Sequence, residues 1–247
     1  MSAGKLPPER HRNDIYGDLD APAEGATPTV PAATVVLLRD APGLEVLMLH
    51  KTSQVAFGGM WVFPGGRVDP GDAQDAADEV EAARRAAARE TLEETGLVAA
   101  PDEFVWFSFW VPPPSTPRRF ATWFFAAPAA GHRVSVDGGE IQDHAWLAPA
   151  DALSRHAAGE IDLAPPTWVT LHHLSRLDST AAALARLQAG EPRRYATRLG
   201  KRADGARVAM WHGDAGYDAH DPDADGARHR LVMSTSGFVF ENTVMEY

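Results

Sequence analysis

The chain has 247 residues, 45% of them hydrophobic and 23% charged, which is enough apolar material for one large core or two modest ones. Its 34 acidic residues outnumber the 23 basic ones, for a formal net charge of -11, a field that repels a phosphate backbone and argues against nucleic acid as a partner. It contains no cysteine, which excludes disulfides, thiolate zinc sites, iron–sulfur clusters and a cysteine nucleophile.

The opening segment MSAGKLPPERHRND lacks the apolar run of a signal peptide. The closing ENTVMEY carries no lipidation signal, and no stretch has the uninterrupted apolar length of a membrane span. A cytoplasmic protein with no membrane partner is expected. Residues 1 to 30 are rich in Pro, Gly, Ala and charge and lack the periodicity that would bury a face, which predicts a flexible arm.

From Ala32 the texture changes. AATVVLLRD and GLEVLMLHK, split by Asp40, Pro42 and Gly43, predict two strands joined by a turn. WVFPGG, from Trp61 to Gly66, predicts a short strand running into a glycine turn. Residues 74 to 95 are alanine-rich with charges at helical spacing, and Gly96 stands where a helix terminator belongs, so a helix is predicted there. EFVWFSFWV and RFATWFFAA read as aromatic-rich strands around the PPPSTP turn at Pro112 to Pro117. GGEIQDHAWL follows as a strand and APADALSRHAAG as a short helix, then PTWVTLHHLSRL and STAAALARLQAG as two helices broken near Asp178. RVAMW, HRLVMS and GFVFENT close the chain as strands, with an Asp/Gly-rich loop between the first two. The division is an arm over 1–30, a mixed α+β unit over 31–155 and an extension over 156–247 that packs on the core or on a second copy of the chain.

The chemistry concentrates in two runs, Gly65-Gly66-Arg-Val-Asp-Pro-Gly-Asp72 and Arg89-Glu90-Thr-Leu-Glu93-Glu94-Thr-Gly96-Leu97. On a helix Glu90 and Glu94 are four residues apart, as are Arg89 and Glu93, so three carboxylates gather over little more than one turn beside an arginine. Glu93 and Glu94 lie in the last turn, where the helix dipole disfavours negative charge by roughly 0.3 to 1 kcal/mol each. Arg89 can pair with one of them and hold its rotamer, and oxygen ligands in this pattern suit a hard cation, Mg2+ or Mn2+, that also grips substrate phosphates. The glycine pair lets backbone approach the same place. The bland reading of such a charge run is a solvated, salt-bridged helix face.

These runs resemble the signature of the Nudix hydrolase family, a glycine, five residues, a glutamate, seven residues, and then R-E-U-x-E-E-x-G-U with U a bulky apolar residue. Gly66 and the run from Arg89 to Leu97 carry the match. Asp72 stands where the signature has its first glutamate, sixteen residues separate it from Arg89 where the family has seven, and Thr91 replaces an apolar residue. A second register, with Glu81 seven residues before the arginine run, puts Asp75 where the glycine belongs, so Gly66 with Asp72 is preferred.

The resemblance implies an α/β/α sandwich with a mixed sheet, here with a C-terminal helix and β-hairpin extension. It also implies metal-assisted hydrolysis of a nucleoside diphosphate linked to a second moiety. Glu90, Glu93 and Glu94 would hold Mg2+ or Mn2+, with Glu140 as an outside carboxylate and Glu93 or Glu94 as base or ligand beside Arg89. Gly65 and Gly66 would approach the substrate, and Arg118 and Arg119 would meet its phosphates. FPGG, the aspartates at 69 and 72, the lengthened signature and WVPPPSTPRRFATWFF resemble the branch containing peroxisomal-type coenzyme A diphosphatases, which release 3',5'-ADP and phosphopantetheine. MLHKTSQVAFGGMWVFPGG carries only part of that branch's upstream pattern. NADH, ADP-ribose or a nucleotide sugar as substrate, a non-catalytic nucleotide or ADP-ribose sensor, and a homodimer all stay open.

Phe57, Trp61, Phe63 and Trp110 read as core aromatics before they read as platforms for an adenine. Asp221-Pro-Asp223-Ala-Asp225-Gly226 imitates the start of a calcium loop, but its twelfth position is Val232, which favours a hairpin loop. His212, His220 and His229 are spaced too irregularly for a metal site, and His172 and His173 face different directions on a helix.

Overall fold

The protein is described here by a computed structural model covering residues 10–19, 28–53, 56–129, 131, 133–136 and 138–244. Its central strand, β1 (Val30–Asp40), is buried on both faces. Val35 and Leu37 join one apolar cluster and Val36 and Leu38 the other, so the uninterrupted run AATVVLLRD has a period-two logic with no polar side. β2 (Leu44–Lys51) repeats the division, with Val46 and Met48 in one cluster and Leu47 and Leu49 in the other.

β3 (Trp61–Val62) and β4 (Gly65–Arg67) follow, then a one-turn helix α1 (Pro70–Ala73) and the long helix α2 (Glu79–Thr95). The helix predicted to begin at residue 74 begins instead at 79. Asp78 accepts a hydrogen bond from the Glu81 N–H and caps it, while Asp75, at φ 56°, interrupts the chain between the two helices. β5 (Val105–Val111), β6 (Phe120–Pro128), β7 (Ile141–Leu147) and α3 (Pro149–Ala157) complete the first unit. Beyond it lie α4 (Pro165–Leu174), α5 (Thr180–Gln188), β8 (Arg193–Ala196), β9 (Arg198–Lys201), β10 (Arg207–Met210), β11 (His229–Ser234) and β12 (Gly237–Asn242).

The main sheet is mixed and runs β3-β2-β1-β6-β5-β8, with β4 also on β1 and β7 also on β2. β1 pairs parallel with β6 along its length, while its other edge changes partner, taking β4 at Ala32–Thr34 and β2 at Leu38–Asp40. That change brings β4, with Gly65 and Gly66 in a short strand where a glycine turn is predicted, to the N-terminal end of β1. α2 covers the face that carries Val35 and Leu37, and α3, α4 and α5 cover the other. The result is an α+β sandwich of helix, mixed sheet and helices, as the resemblance to the family signature implies.

The extension builds a second, antiparallel sheet in the order β12-β11-β10-β9. It shares one core with the first unit, since Trp211, Leu231 and Phe238 cluster with Val36, Val46 and Trp110. Between β10 and β11 the Asp/Gly-rich segment is a loop. Asp221 and Asp223 accept backbone N–H bonds at Asp223 and Ala203, and the Arg230 guanidinium grips both oxygens of Asp214 at 2.5 and 2.6 Å. Among the described residues no helix is long and apolar enough to cross a membrane.

The flexible arm expected over 1–30 is corrected where the structure describes it, and residues 1–9 and 20–27 lie outside the described residues. Residues 10–19 are docked. Tyr16 and Asn13 are buried, Asp14 Oδ2 lies 2.5 Å from Arg207 Nε, Asn13 Nδ2 donates to Asp162 Oδ1, and Arg12 pairs with Asp162. Polar pairing with the extension anchors the segment, which is why apolar periodicity missed it.

This seam is rich in neutral imidazole. His156 is buried with Nε2 2.8 Å from Asn13 Oδ1 and its ring against His11 and Phe238. Burial, with His11 and Arg12 adding to it, pushes its pKa down to about 4. Burial lowers His11 in the same seam and, elsewhere in the core, His172, His173 and His229. Between the ordinary value of 6.5 and about 4, only the unfolded chain binds the proton, so stability falls as pH drops through that window. His156 alone accounts for about 3 kcal/mol across it. Urea denaturation from pH 7.5 downward is expected to show this loss, with a shallower slope in His156→Gln. Equal slopes for the two proteins would remove His156 from the account.

Candidate active site

α2 lies close to the sheet because the residues beneath it are small. Ala83, Ala86 and Ala87 are fully buried against Ala33, Val35 and Leu37. Thr91, in a position expected to be apolar, is also fully buried, and its hydroxyl donates to the Ala87 carbonyl at 2.7 Å, which removes the penalty for burying it. The last turns of the helix then present Arg89, Glu90 and Glu94 toward β4, with Glu93 beside Arg89.

Arg89 is the hub. Nε and Nη2 donate to the two oxygens of Asp72 at 3.1 and 2.9 Å, Nη1 to Glu90 at 3.0 Å and Glu93 at 3.1 Å, and Nη2 also to the Arg67 carbonyl at 3.0 Å. Hydrogen bonds to Asp72 lead the effects that raise the Arg89 pKa. Burial opposes ionisation of Asp72, yet the bonds from Arg89 and from the Asp69 N–H hold its carboxyl below the usual range. Of the two registers of the signature, the one with Asp72 rather than Glu81 supplies the carboxylate that meets Arg89. Glu81 instead takes the Ala77 N–H at 2.6 Å and pairs with Arg85 in the first turn of α2.

Backbone contact requires glycine at 65, and at 66 a side chain would displace the Glu90 carboxylate. A Cβ on Gly66 would lie 2.3 Å from the Glu90 carboxylate, and one on Gly65, at φ 154°, would lie 2.3 Å from the Ala33 carbonyl. Gly65 N–H donates to Glu94 Oε2 at 2.9 Å. The other oxygen, Oε1, is buried and receives no hydrogen bond, with Lys51 Nζ 3.3 Å away. Burial raises the Glu94 pKa to about 7 against the pull of Lys51, and burial also raises Glu90.

Lys51 was not anticipated from the sequence. It ends β2 at a register shift, its side chain is 11% exposed, and it also lies 3.6 Å from Glu140 Oε2. Through Lys51 the structure brings Glu140 to Glu94. A lysine closing an apolar strand has no spacing relation to the glutamate run, so no local pattern could have marked it.

Arg118 is exposed, and Arg119 donates to the Pro112 carbonyl within its own turn. That turn reaches the same end of the sheet as the glycines, since Ala32 pairs with Arg67 on one side and with Thr122 on the other. Trp61, Phe63 and Trp110 are core residues, whereas Phe57, expected to be core, is 37% exposed on the loop after Lys51, its ring 6.0 Å from Phe120.

Among the described residues no three carboxylates or histidines form a metal cage. The donors nevertheless suit a hard cation. Mg2+ is commonly held by one or two carboxylates, with water and substrate phosphates completing its shell. Glu90 and Glu94 supply two carboxylates of mutually unfavourable charge, and Glu94 Oε1 is met by the Lys51 ammonium at 3.3 Å.

The NUDIX domain family matches residues 28–166, a span that holds β1 to β7, α1 to α3 and every residue of the carboxylate cluster. A NUDIX hydrolase from Alicyclobacillus acidocaldarius is similar over 67% of this chain and 99% of that one, at 26% identity and a TM-score of 0.59. A MutT NUDIX hydrolase from Burkholderia pseudomallei aligns over 59% of this chain and 98% of its own, at 18% identity and a TM-score of 0.44. The NUDIX domain of Shewanella oneidensis NrtR, solved with ADP ribose, aligns over 64% and 92%, at 19% identity and a TM-score of 0.45. No curated protein matches the chain.

Replacing Arg89 by Met leaves the buried Asp72 carboxylate without its partner and is expected to lower stability by about 2 kcal/mol. Adding Asp72→Asn should recover part of that loss, giving a coupling of about 1 kcal/mol in a denaturation cycle. Strict additivity would show that the pair is not the fastening it resembles.

Proposed function

Because the chain belongs to the NUDIX domain family, we propose that it is a diphosphatase, hydrolysing the phosphoanhydride of a nucleoside diphosphate linked to a second moiety. The observation that carries this reading is the Arg89 hub, which holds Asp72, Glu90 and Glu93 together while Gly65 and Lys51 pin Glu94. Glu90 and Glu94, with Glu93 at the rim, would hold the divalent cation. When bound, Mg2+ or Mn2+ supplies neutralisation of the phosphate oxygens and acidifies a bound water.

The protein's own groups do the rest. Glu94 is walled in by the Gly65 N–H and Lys51 and would be a fixed ligand. Glu93 is 57% exposed with Arg89 on one oxygen, so it can reach a water from solvent and takes the proton released on attack. Lys51 balances Glu94 and Glu140 and keeps both carboxylates on one side of the site. Arg118, exposed on the turn that flanks β1, meets the far phosphate, and Arg119 holds that turn through the Pro112 carbonyl. Phe57, on a loop whose base bonds Gly59 N–H to the Lys51 carbonyl, offers its face to a nucleobase.

Coenzyme A or an acyl-coenzyme A, split to 3',5'-ADP and the phosphopantetheine product, is the substrate that the pattern from Phe63 to Asp72 favours. NADH, ADP-ribose and nucleotide sugars carry the same diphosphate. The test is product release from a panel of all of these with Mg2+ or Mn2+, followed by chromatography. Glu94→Gln and Glu93→Gln are each expected to lower kcat by about a hundredfold or more, chelation should abolish turnover, and Arg118→Gln should act mainly on KM. Preference for a compound other than coenzyme A would keep the reaction and change the substrate. No turnover of any compound by protein that binds Mn2+ would sink the reading in favour of a sensor.

A further inference from the structure

On the face of the sheet opposite α2, a cavity of about 370 Å3 opens between β5, α4, α5 and β8. The separation from the carboxylates follows from the alternation of β1. Val35 and Leu37 pack with the alanines of α2, whereas Val36 and Leu38 pack with Trp110 and Val169 of the cavity floor. Three of the four walls lie almost wholly outside the span that matches the family, which ends at residue 166.

The cavity is apolar below and cationic at the mouth. Trp110 and Tyr195, stacked at 3.8 Å, form the floor with Val169, and all three are buried. The two-residue period of β8 turns Arg193 and Tyr195 toward the cavity, while Arg194 lies over Phe109 in the other direction. Arg176 and Arg186 are exposed and join Arg193 around the opening, against one carboxylate, Glu191. Arg176 also donates to His172 Nε2 at 3.0 Å. In a chain of formal charge -11, three guanidinium groups around one apolar well select a negative head on an apolar body.

We propose that this cavity is a second ligand site, distinct from the carboxylate cluster, for an amphipathic organic anion, with its apolar body on the Trp110–Tyr195 floor and its carboxylate or phosphate among Arg176, Arg186 and Arg193. The volume falls within the range of small-molecule pockets, about 300–1,000 Å3.

The full chain is titrated calorimetrically with octanoate, octyl phosphate, 1-octanol and octyltrimethylammonium, with the Trp110 indole N–H followed by NMR. One saturable site is expected for an anion, with the alcohol and the ammonium compound about tenfold weaker or absent, and with the Trp110 signal moving. The stronger of the two anions identifies the head group. Arg186→Gln, at an exposed position, should weaken anion binding about tenfold, and Leu187→Trp, which fills the well, should abolish it, both with diphosphatase turnover unchanged. Arg176 and Arg186 also lie near the C-termini of α4 and α5, where the dipole favours cations. If neutralising those ends is their sole role, Arg186→Gln will lower Tm and leave octanoate and octyl phosphate binding intact, which overturns the proposal. Equal affinity for octanol and octanoate, undiminished binding by Leu187→Trp, or no saturable binding of either anion would overturn it too.

Discussion

One guanidinium organises the acidic centre of this protein. Arg89 reaches both oxygens of Asp72, one each of Glu90 and Glu93, and the Arg67 carbonyl, so a single side chain ties α1, β4 and the last turns of α2. Without it, three carboxylates and an aspartate would repel one another at the end of a helix whose dipole already opposes them. The nine additional residues between Asp72 and Arg89, relative to the family signature, are absorbed because the fastening acts on their ends. Asp72 is held in a one-turn helix with its own reciprocal cap, and Arg85 clamps the inserted segment through the Gln74 carbonyl.

The second constraint is the double burial of β1. A strand covered on both faces has no solvent side to set its orientation, so each face must be chosen by what packs on it. Alanines on α2 allow that helix to approach one face closely, and the larger residues of α4, α5 and the second sheet fill the other. The carboxylate centre and the arginine-rimmed cavity therefore share a sheet without sharing a surface. The partner change along β1 then places the glycines of β4 and the start of β6 at the same end of that strand.

Charge also attaches the outlying segments. Asp14, with no exposed side-chain surface, meets Arg207 of the second sheet, and Asp214, in the loop between β10 and β11, meets Arg230 of β11. Buried pairs of this kind tolerate loss of a partner poorly. They fix where a segment sits, which an apolar patch alone would specify less sharply.

What the sequence determined is local and periodic. The alternation of β1 and β2, the alanine-rich helix ended at Gly96, the two helices broken near Asp178 and the closing strands were legible because each carries its signal within a few residues. So was the grouping of Arg89, Glu90, Glu93 and Glu94, since four-residue spacing on a helix is a contact. Other features depended on partners far along the chain. β8 and β9 are four-residue basic strands that exist because β5 and β10 pair with them. The segment 10–19 docks through polar contacts that no hydropathy pattern records. Lys51 joins Glu94 and Glu140 across intervals of 43 and 89 residues in the chain, and the arginines of the cavity mouth come from the turn after α4, from α5 and from β8. A sequence can state which residues are available to a site. Which of them meet is decided by sheet order and register, because those set the through-space neighbours that charge and hydrogen bonding act upon.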